Sequence, residues 1–497
     1  MLKNWTSHAD YQHFLISNLS ELYKVFPNRI SLLEPSLSKL YCLDLDNLRD
    51  LLEPYYSSTG RPATFQAEIF RSFSLMLFMK ETSLTKWYKT LCSDSLLATF
   101  IGCSNNKLPS LGAHYDFISR LWLSDLASDR LRLNRTYSFK KKPSKSKSPG
   151  KNKKLPNKHS GVVRRVVDFF RNGRSFSMRA ERLLQKIFAL IAVGPSSELG
   201  LIPKDNLTIA GDGTCVHTHA SYYGKKLCTC REEGIFDCSC PRKLSDVDAT
   251  WGWDSHESSW FYGYTLYALS YYHSTYKVDL PLYLRFVEAS RHDSVTGIVA
   301  LAEFRELYPQ FSIANYVLDS ANDNYPTYEL CSEWNINPLI DLNSKNLGKS
   351  KYPCALSFTE KGTPICIEGV EMIHDWYDKE RSRHKWRCPL ARGKITSCSS
   401  KEQCSPSSYG RVIYTKPSWD LRLFTTIPRA SKAWKEIYKT RTCSERVNNR
   451  ILNNYNLHAA RIHGKKRYSF FAMMASINIH LDARIKSFGF NILKVIQ

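Results

Sequence analysis

Apolar positions along this chain change their spacing near residue 200. Before that point they recur at helical intervals. Ile69, Phe73, Met76 and Leu77 follow an i, i+4, i+7, i+8 rule, which lines one face of a helix with buried side chains. A second helix is expected to open after Pro109-Ser110, with Ser110 as its N-cap and Phe117, Ile118, Leu121 and Trp122 as its apolar face. Short helices separated by polar turns fit a DNA-binding bundle, and they fit other helical bundles as well. Residues 1–134 are therefore expected to be an all-α N-terminal domain.

Beyond 200 the chain turns to aromatic and β-branched runs broken by helical stretches. A strand is expected at 207–210, ending in Gly211-Asp212-Gly213-Thr214, followed by strands at 261–271 and 282–287. A helix at 296–307, with Ile298, Leu301, Ala302 and Phe304 apolar, precedes a strand at 314–318 that ends at Asp319. A helix at 325–334 and a strand at 338–340 complete the series. Three strands followed by helix–strand–helix–strand describe an α/β domain, a mixed sheet with helices packed on it. No internal repeat of fixed period is visible.

Between these regions, residues 140–158 hold nine lysines and no acid. Self-repulsion and the lack of apolar side chains predict an extended linker at 135–161. Lys140, Lys141 and Lys142 open it, and each can displace a counterion condensed on DNA. The whole chain shares the bias: 70 Lys and Arg against 46 Asp and Glu give +24 over 497 residues. That excess favours a polyanionic partner. Hydrophobic residues at 43% and aromatics at 13% exclude a mainly disordered chain. The longest strongly apolar run, 187–193, is far short of the ~18 residues a membrane span needs, and the polar N-terminal residues do not read as a secretory signal. Fifteen cysteines, an odd number, cannot all pair internally, so reduced thiols in a cytoplasmic setting are expected.

Asp212 and Asp319 stand where strands of the sheet are expected to end, the place from which ligand-contacting side chains emerge on a rigid backbone. Gathered carboxylates repel one another unless hard cations such as Mg2+ sit between them. A third carboxylate is expected on a helix, and Glu445 fits: at four-residue spacing Arg441, Glu445 and Asn449 share one face, placing an acid between a phosphate-clamping cation and an amide. An Arg–Glu surface pair is the plainer alternative. Asp246, Asp248, Asp293 and Asp323 are candidate auxiliary carboxylates, ranked lower because none ends a clear strand.

Asp212 in Ile-Ala-Gly-Asp-Gly-Thr, Asp319 in Val-Leu-Asp-Ser-Ala-Asn-Asp-Asn, and the Tyr438-x2-Arg441-x3-Glu445 segment together resemble the DDE transposases of bacterial insertion sequences. Asn337-Pro338-Leu339-Ile340-Asp341 and Arg291-His292-Asp293-Ser294 resemble further segments of that family, and the Gly60-Arg61-Pro62 and Pro109-Ser110 region is similar to its DNA-binding lead-in. Two departures stand out. The lysine that the family often carries seven residues after the glutamate is Leu452 here, with Arg450 a substitute, and the 126 positions from Asp319 to Glu445 imply an inserted segment.

The resemblance implies a ribonuclease H-like catalytic domain, begun at 162–345, interrupted by an insertion at 346–430 and completed at 431–497 by the glutamate helix. It implies Asp212, Asp319 and Glu445 as catalytic ligands of two Mg2+ (or Mn2+) ions, with Tyr438, Arg441, Asn449 and Arg450 contacting DNA. The implied reaction is cleavage at the ends of a mobile element and strand transfer into target double-stranded DNA, by a homodimer that pairs two ends. Two other readings remain: a catalytically decayed, zinc-containing DNA-binding protein, and a stand-alone metal-dependent nuclease.

Cys228-Thr229-Cys230 and Cys238-Ser239-Cys240 place four thiols within thirteen residues, enough for a tetrahedral structural zinc, although single-residue spacers are tighter than in common fingers. His217 and His219 lie nearby as ordinary strand or loop residues or as further ligands. Cys354, Cys366, Cys388, Cys398 and Cys404 form a looser set with irregular spacing. Lys385-Trp386-Arg387 and Trp419 offer aromatics among cations that could stack on an unpaired base, with core packing the commoner role.

Overall fold

The structure is a computed structural model that describes residues 1–2, 5–104, 107–123, 134–135, 160–175, 180–240, 242–344, 357–458 and 460–496. Lys140, Lys141 and Lys142, with the rest of the lysine-rich linker, lie outside the described residues, as does Cys354.

Seven helices precede the linker: α1 His8–Val25, α2 Pro27–Tyr41, α3 Asp46–Leu52, α4 Gln66–Phe78, α5 Leu84–Ser93, α6 Ser95–Phe100 and α7 Leu111–Arg120. Ser110 caps α7 as expected, its Oγ accepting the Ala113 N–H at 3.1 Å, but the helix stops at Arg120 and leaves Trp122 outside it. After the linker come α8 Val162–Arg171 and α9 Arg182–Phe188.

The main sheet is built from β1 Leu207–His217, β2 Thr250–Asp254, β3 Ser259–His273, β4 Val278–Glu288, β5 Ile313–Leu318 and β6 Asn337–Ile340. Its order is β4-β3-β1-β5-β6, with β2 paired to the start of β3. β4, β3 and β1 run antiparallel to their neighbours, whereas β1, β5 and β6 run parallel. Parallel neighbours need crossovers, and α10 Asp293–Leu307 and α11 Tyr325–Glu333 supply them. The fold is thus a mixed α/β arrangement with helices packed on a mixed sheet. A second sheet, β7 Ile373–Asp378, β8 Arg383–Arg387 and β9 Val412–Thr415, belongs to the segment between β6 and the C-terminal helices α12 Lys432–Tyr438, α13 Thr442–Asn449 and α14 Lys465–Phe488.

The four apolar positions first read as one face of α4 are buried, but so is every other residue from Gln66 to Leu77. The reason is α14, which covers the other side. Phe73 and Phe470 meet edge to face at 4.7 Å, and Asn478 accepts from the Ser74 hydroxyl at 2.6 Å while donating to the Ser74 carbonyl. One continuous core runs from Leu15 and Phe73, through Phe470 and Ile479, to Leu266 and Leu284 of the sheet. Among the described residues no helix is long and apolar enough to cross a membrane.

Candidate active site and cysteine cluster

β1 does not stop at Ala210. Pairing with β3 carries it through Gly211-Asp212-Gly213 to His217, so Asp212 lies inside a strand rather than at its end. β5 does end where expected. Ala210 sits beside Val317, so two residues further on Asp212 is level with Asp319, on strands about 4.8 Å apart. Side chains alternate across a sheet, and Ala210 and Val317 pack with Cys443 of α13 and Trp434 of α12. Asp212 shares the parity of Ala210 and therefore faces α13, the helix that carries Glu445.

The opposite face of β1 explains its glycines. A Cβ at Gly211 would come within 2.5 Å of the Tyr267 hydroxyl, which meets the Tyr316 hydroxyl at 3.2 Å beneath the strand. A Cβ at Gly213 would come within 2.5 Å of the Asp293 carboxylate. Asp293 opens α10, whose N-cap is His292, and reaches the rim of the site from the face opposite α13. Gly213→Ala is expected to displace Asp293 and lower any strand-cleavage rate about 10–100-fold, since misplacing a reacting group by an ångström is that costly. Single-turnover kinetics at saturating DNA would check this.

The electrostatics are in keeping with this placement. Burial first, and then the charges of Asp293, Asp319 and Glu445, push the Asp212 carboxyl up to about 7, with Arg441 opposing. Burial and Asp319 raise Asp293 to about 6. Asp319 is oriented locally: its Oδ1 accepts the Ala321 N–H at 3.2 Å and the Asn322 amide at 2.7 Å. Glu445, its side chain 46% exposed, pairs with Arg441 at 2.6 Å, an i, i+4 contact that the plainer surface-pair reading also expects. The four acids are gathered but not collapsed, for no three of them bring ligand atoms within 4.8 Å of one another.

The remaining candidates separate. Tyr438 ends α12, and a 3₁₀ turn at Lys439–Arg441, right-handed helical throughout, joins it to α13. The Tyr438 ring stacks on Trp434 at 4.5 Å and its hydroxyl meets Asp341, a neighbour that raises its pKa after burial does. Asn449 is exposed and accepts from the Asn453 amide at 2.6 Å. Arg450 pairs at 2.9 Å with Asp482 of α14, which also takes Lys39, so its charge is committed to the C-terminal helix. Leu452, at the family's lysine position, is buried in the core.

Asp323 is a structural ion-pair partner. It is fully buried and receives the Arg422 guanidinium at 2.7–3.0 Å. Asp246 is buried too, accepting from Thr218. Trp386 packs in the core of the second sheet with its Nε1 on Thr415, while Lys385 and Arg387 lie against Tyr409. Asp293, a lower-ranked auxiliary carboxylate in the sequence, lies close enough to Asp212 to raise its carboxyl, and the Arg291-His292-Asp293-Ser294 segment is the sequence signal that pointed to it.

Among the described residues one group can hold a soft metal ion: Cys228, Cys230, Cys238 and Cys240, whose sulfurs all fall within 4.8 Å. Cys228–Cys238 and Cys230–Cys240 are each 3.5 Å apart. A tetrahedron with Zn–S bonds of ~2.3 Å has edges of ~3.8 Å, so the donors fit zinc. Hydrogen bonds from Cys228 and the Cys240 backbone lower the Cys238 thiol to about 7, while bonds within the same cluster raise Cys230 and Cys240. Cys366, Cys388, Cys398 and Cys404 are free thiols that form no such group.

Comparison with protein-family models and with curated proteins finds no match to this chain.

Proposed function

We propose that this chain is a DDE-type DNA transposase on a ribonuclease H-like scaffold, cleaving the ends of a mobile element and joining them to target DNA. The observation that carries the proposal is the level placement of Asp212 and Asp319 on adjacent parallel strands, with α13, the helix that bears Glu445, packed on the same face. The strand order, three antiparallel strands followed by two parallel ones, is the order expected of that scaffold.

Asp212, Asp319 and Glu445 would hold a pair of Mg2+ ions, which supply Lewis acidity toward the attacking and leaving oxygens of an in-line displacement. The chain's own groups do the rest. Arg441 fixes the Glu445 carboxylate and adds positive charge next to a DNA phosphate. Lys361, Arg429 and Lys435 line a cleft of about 310 Å³ beside Asp341, on the Tyr438 side of the site. The excess of +24 draws DNA in from a distance, and simultaneous handling of two ends favours a homodimer.

The test is a strand-joining assay with Mg2+, a duplex carrying the element's terminal repeats and a supercoiled target. Joined product is expected. Hydrolysis alone would make the protein a nuclease, and no reaction with intact DNA binding would make it a decayed relative.

A further inference from the structure

Between β1 and β2 the chain leaves the sheet and forms a small ribbon closed by the four cysteines. Two-residue strands Lys225–Lys226 and Arg242–Lys243 pair antiparallel, and Asn134–Arg135 adds to the far edge of Arg242–Lys243. The register sets like charges opposite each other: Lys225 faces Lys243, and Lys226 faces Arg242. Residues directly opposite on an antiparallel pair share a face, and like charges there are destabilising. Lys225 and Lys243 are exposed, and Lys226 and Arg242 are half-buried.

Among the described residues no carboxylate pairs with them. Four thiolates around zinc would add a net charge of −2 beside Lys226, which already acts on the Cys238 sulfur, and so would offset part but not all of the four positive charges. Lys226 donates to the Phe236 carbonyl and Arg242 to the Tyr223 carbonyl, both uncharged acceptors. The acids of the same loop, Glu232, Glu233 and Asp237, sit on the exposed tip, where Glu233 accepts from Thr229. The backbone is tailored to this close pairing. Gly224 has φ +67°, and a Cβ there would lie 2.8 Å from the Lys243 carbonyl. In sequence, the edge strand at 134–135 precedes the lysine-rich segment at 140–158 by four residues.

A ribbon this short has almost no core of its own. Leu244 is its buried anchor, so something else must hold its like-charged strands together. The four sulfurs flank the turn that joins those strands. We infer that the Cys228/Cys230/Cys238/Cys240 site binds Zn2+, and that the zinc-closed ribbon is a DNA-phosphate clamp whose Lys225, Lys226, Arg242 and Lys243 straddle the duplex backbone. The charge arrangement calls for a polyanion, and its identification as duplex DNA rests on the function proposed above. Zinc supplies the cross-link that keeps four cations at fixed spacing, and the phosphates take up the positive charge that the zinc–thiolate site leaves over.

Full-length protein, purified without chelator, should carry one zinc per chain by plasma mass spectrometry. Its affinity for a 20-base-pair duplex of arbitrary sequence is then followed by anisotropy across a salt series. The Lys225→Gln/Lys226→Gln/Arg242→Gln/Lys243→Gln variant should keep its zinc, bind more weakly by about 10³-fold or more near 0.1 M salt, and show a slope of log K against log salt shallower by about 3–4, at ~0.9 per lost phosphate contact. Cys228→Ser/Cys238→Ser should lose both the zinc and the same share of the slope. A well-folded wild type holding less than about a tenth of a zinc per chain, or an unchanged slope in the quadruple variant, overturns the inference. The quadruple variant decides the matter even where the cysteine variant fails to fold. Glu445→Gln, run in parallel, separates the two proposals. If it still cleaves DNA while the slope falls as expected, the catalytic assignment fails and the clamp stands.

Discussion

Asp212→Asn is expected to abolish strand cleavage and joining while leaving duplex binding within about threefold of wild type. Asp212 faces α13 next to Asp319, and removing one carboxylate from a cation pair forfeits several kcal/mol of transition-state stabilisation, about 10³-fold or more in rate. Asp319→Asn and Glu445→Gln should behave alike, and a variant that still cleaves removes its residue from the site.

The same substitution should have an opposite effect on stability. The Asp212 carboxyl is raised from 3.8 to about 7 in the folded chain. Between these values the native state holds a proton that the unfolded chain releases. Its contribution is therefore full below about pH 4 and is lost as pH rises through 7. At ~1.4 kcal/mol per unit the penalty at pH 8 has a ceiling of about 4 kcal/mol, and water at the cleft mouth brings it nearer 1–2 kcal/mol. In metal-free buffer Asp212→Asn should thus melt with wild type near pH 4 and roughly 2 °C above it at pH 8. Millimolar Mg2+ should stabilise wild type more than the variant. A variant that melts below wild type at pH 8 would show that Asp212 is not repelled by its neighbours.

The second large effect lies outside the acidic cluster. Arg422→Met should cost about 3–5 kcal/mol, because it strands the Asp323 carboxylate, whose side chain is 0% exposed. Asp323 also accepts from the Tyr328 hydroxyl at 3.0 Å and the Asn343 N–H at 2.7 Å. Arg429 adds a second tie, donating to the Ile340 carbonyl and the Tyr328 hydroxyl. These contacts anchor the segment carrying the second sheet to the loop four residues beyond Asp319. Limited proteolysis should cut Arg422→Met within 357–430 well before wild type, and cleavage of DNA should fall with it. Adding Asp323→Asn should recover part of the loss, since a neutral amide is far cheaper to bury than a lone charge. No recovery in the double variant would show that the guanidinium acts through packing alone.

How much of this was legible in the residues depends on how local each signal is. The strands around Asp319, the cap at Ser110 and the Arg441–Glu445 pair follow from neighbours within a few positions, and the structure has them. Gly211 and Gly213 misled, because their turn preference is overridden by partners far away: β3 supplies the ladder, and tyrosines and Asp293 need the space that a Cβ would fill. The all-round burial of α4 depends on Asn478, 404 positions distant, which no window of periodicity contains. Arg450 looked available for phosphate until Asp482 arrived from α14.

That long reach has a consequence for synthesis. The bond between Ser74 and Asn478 closes only after nearly the whole chain has left the ribosome, about 20–80 s after its first partner at 5–20 residues per second. Throughout that interval the apolar surface of α4 around Phe73 lacks its mate. A chain truncated before α14 is therefore expected to expose the apolar surface of α4 around Phe73 and to aggregate or be proteolysed faster than the full chain.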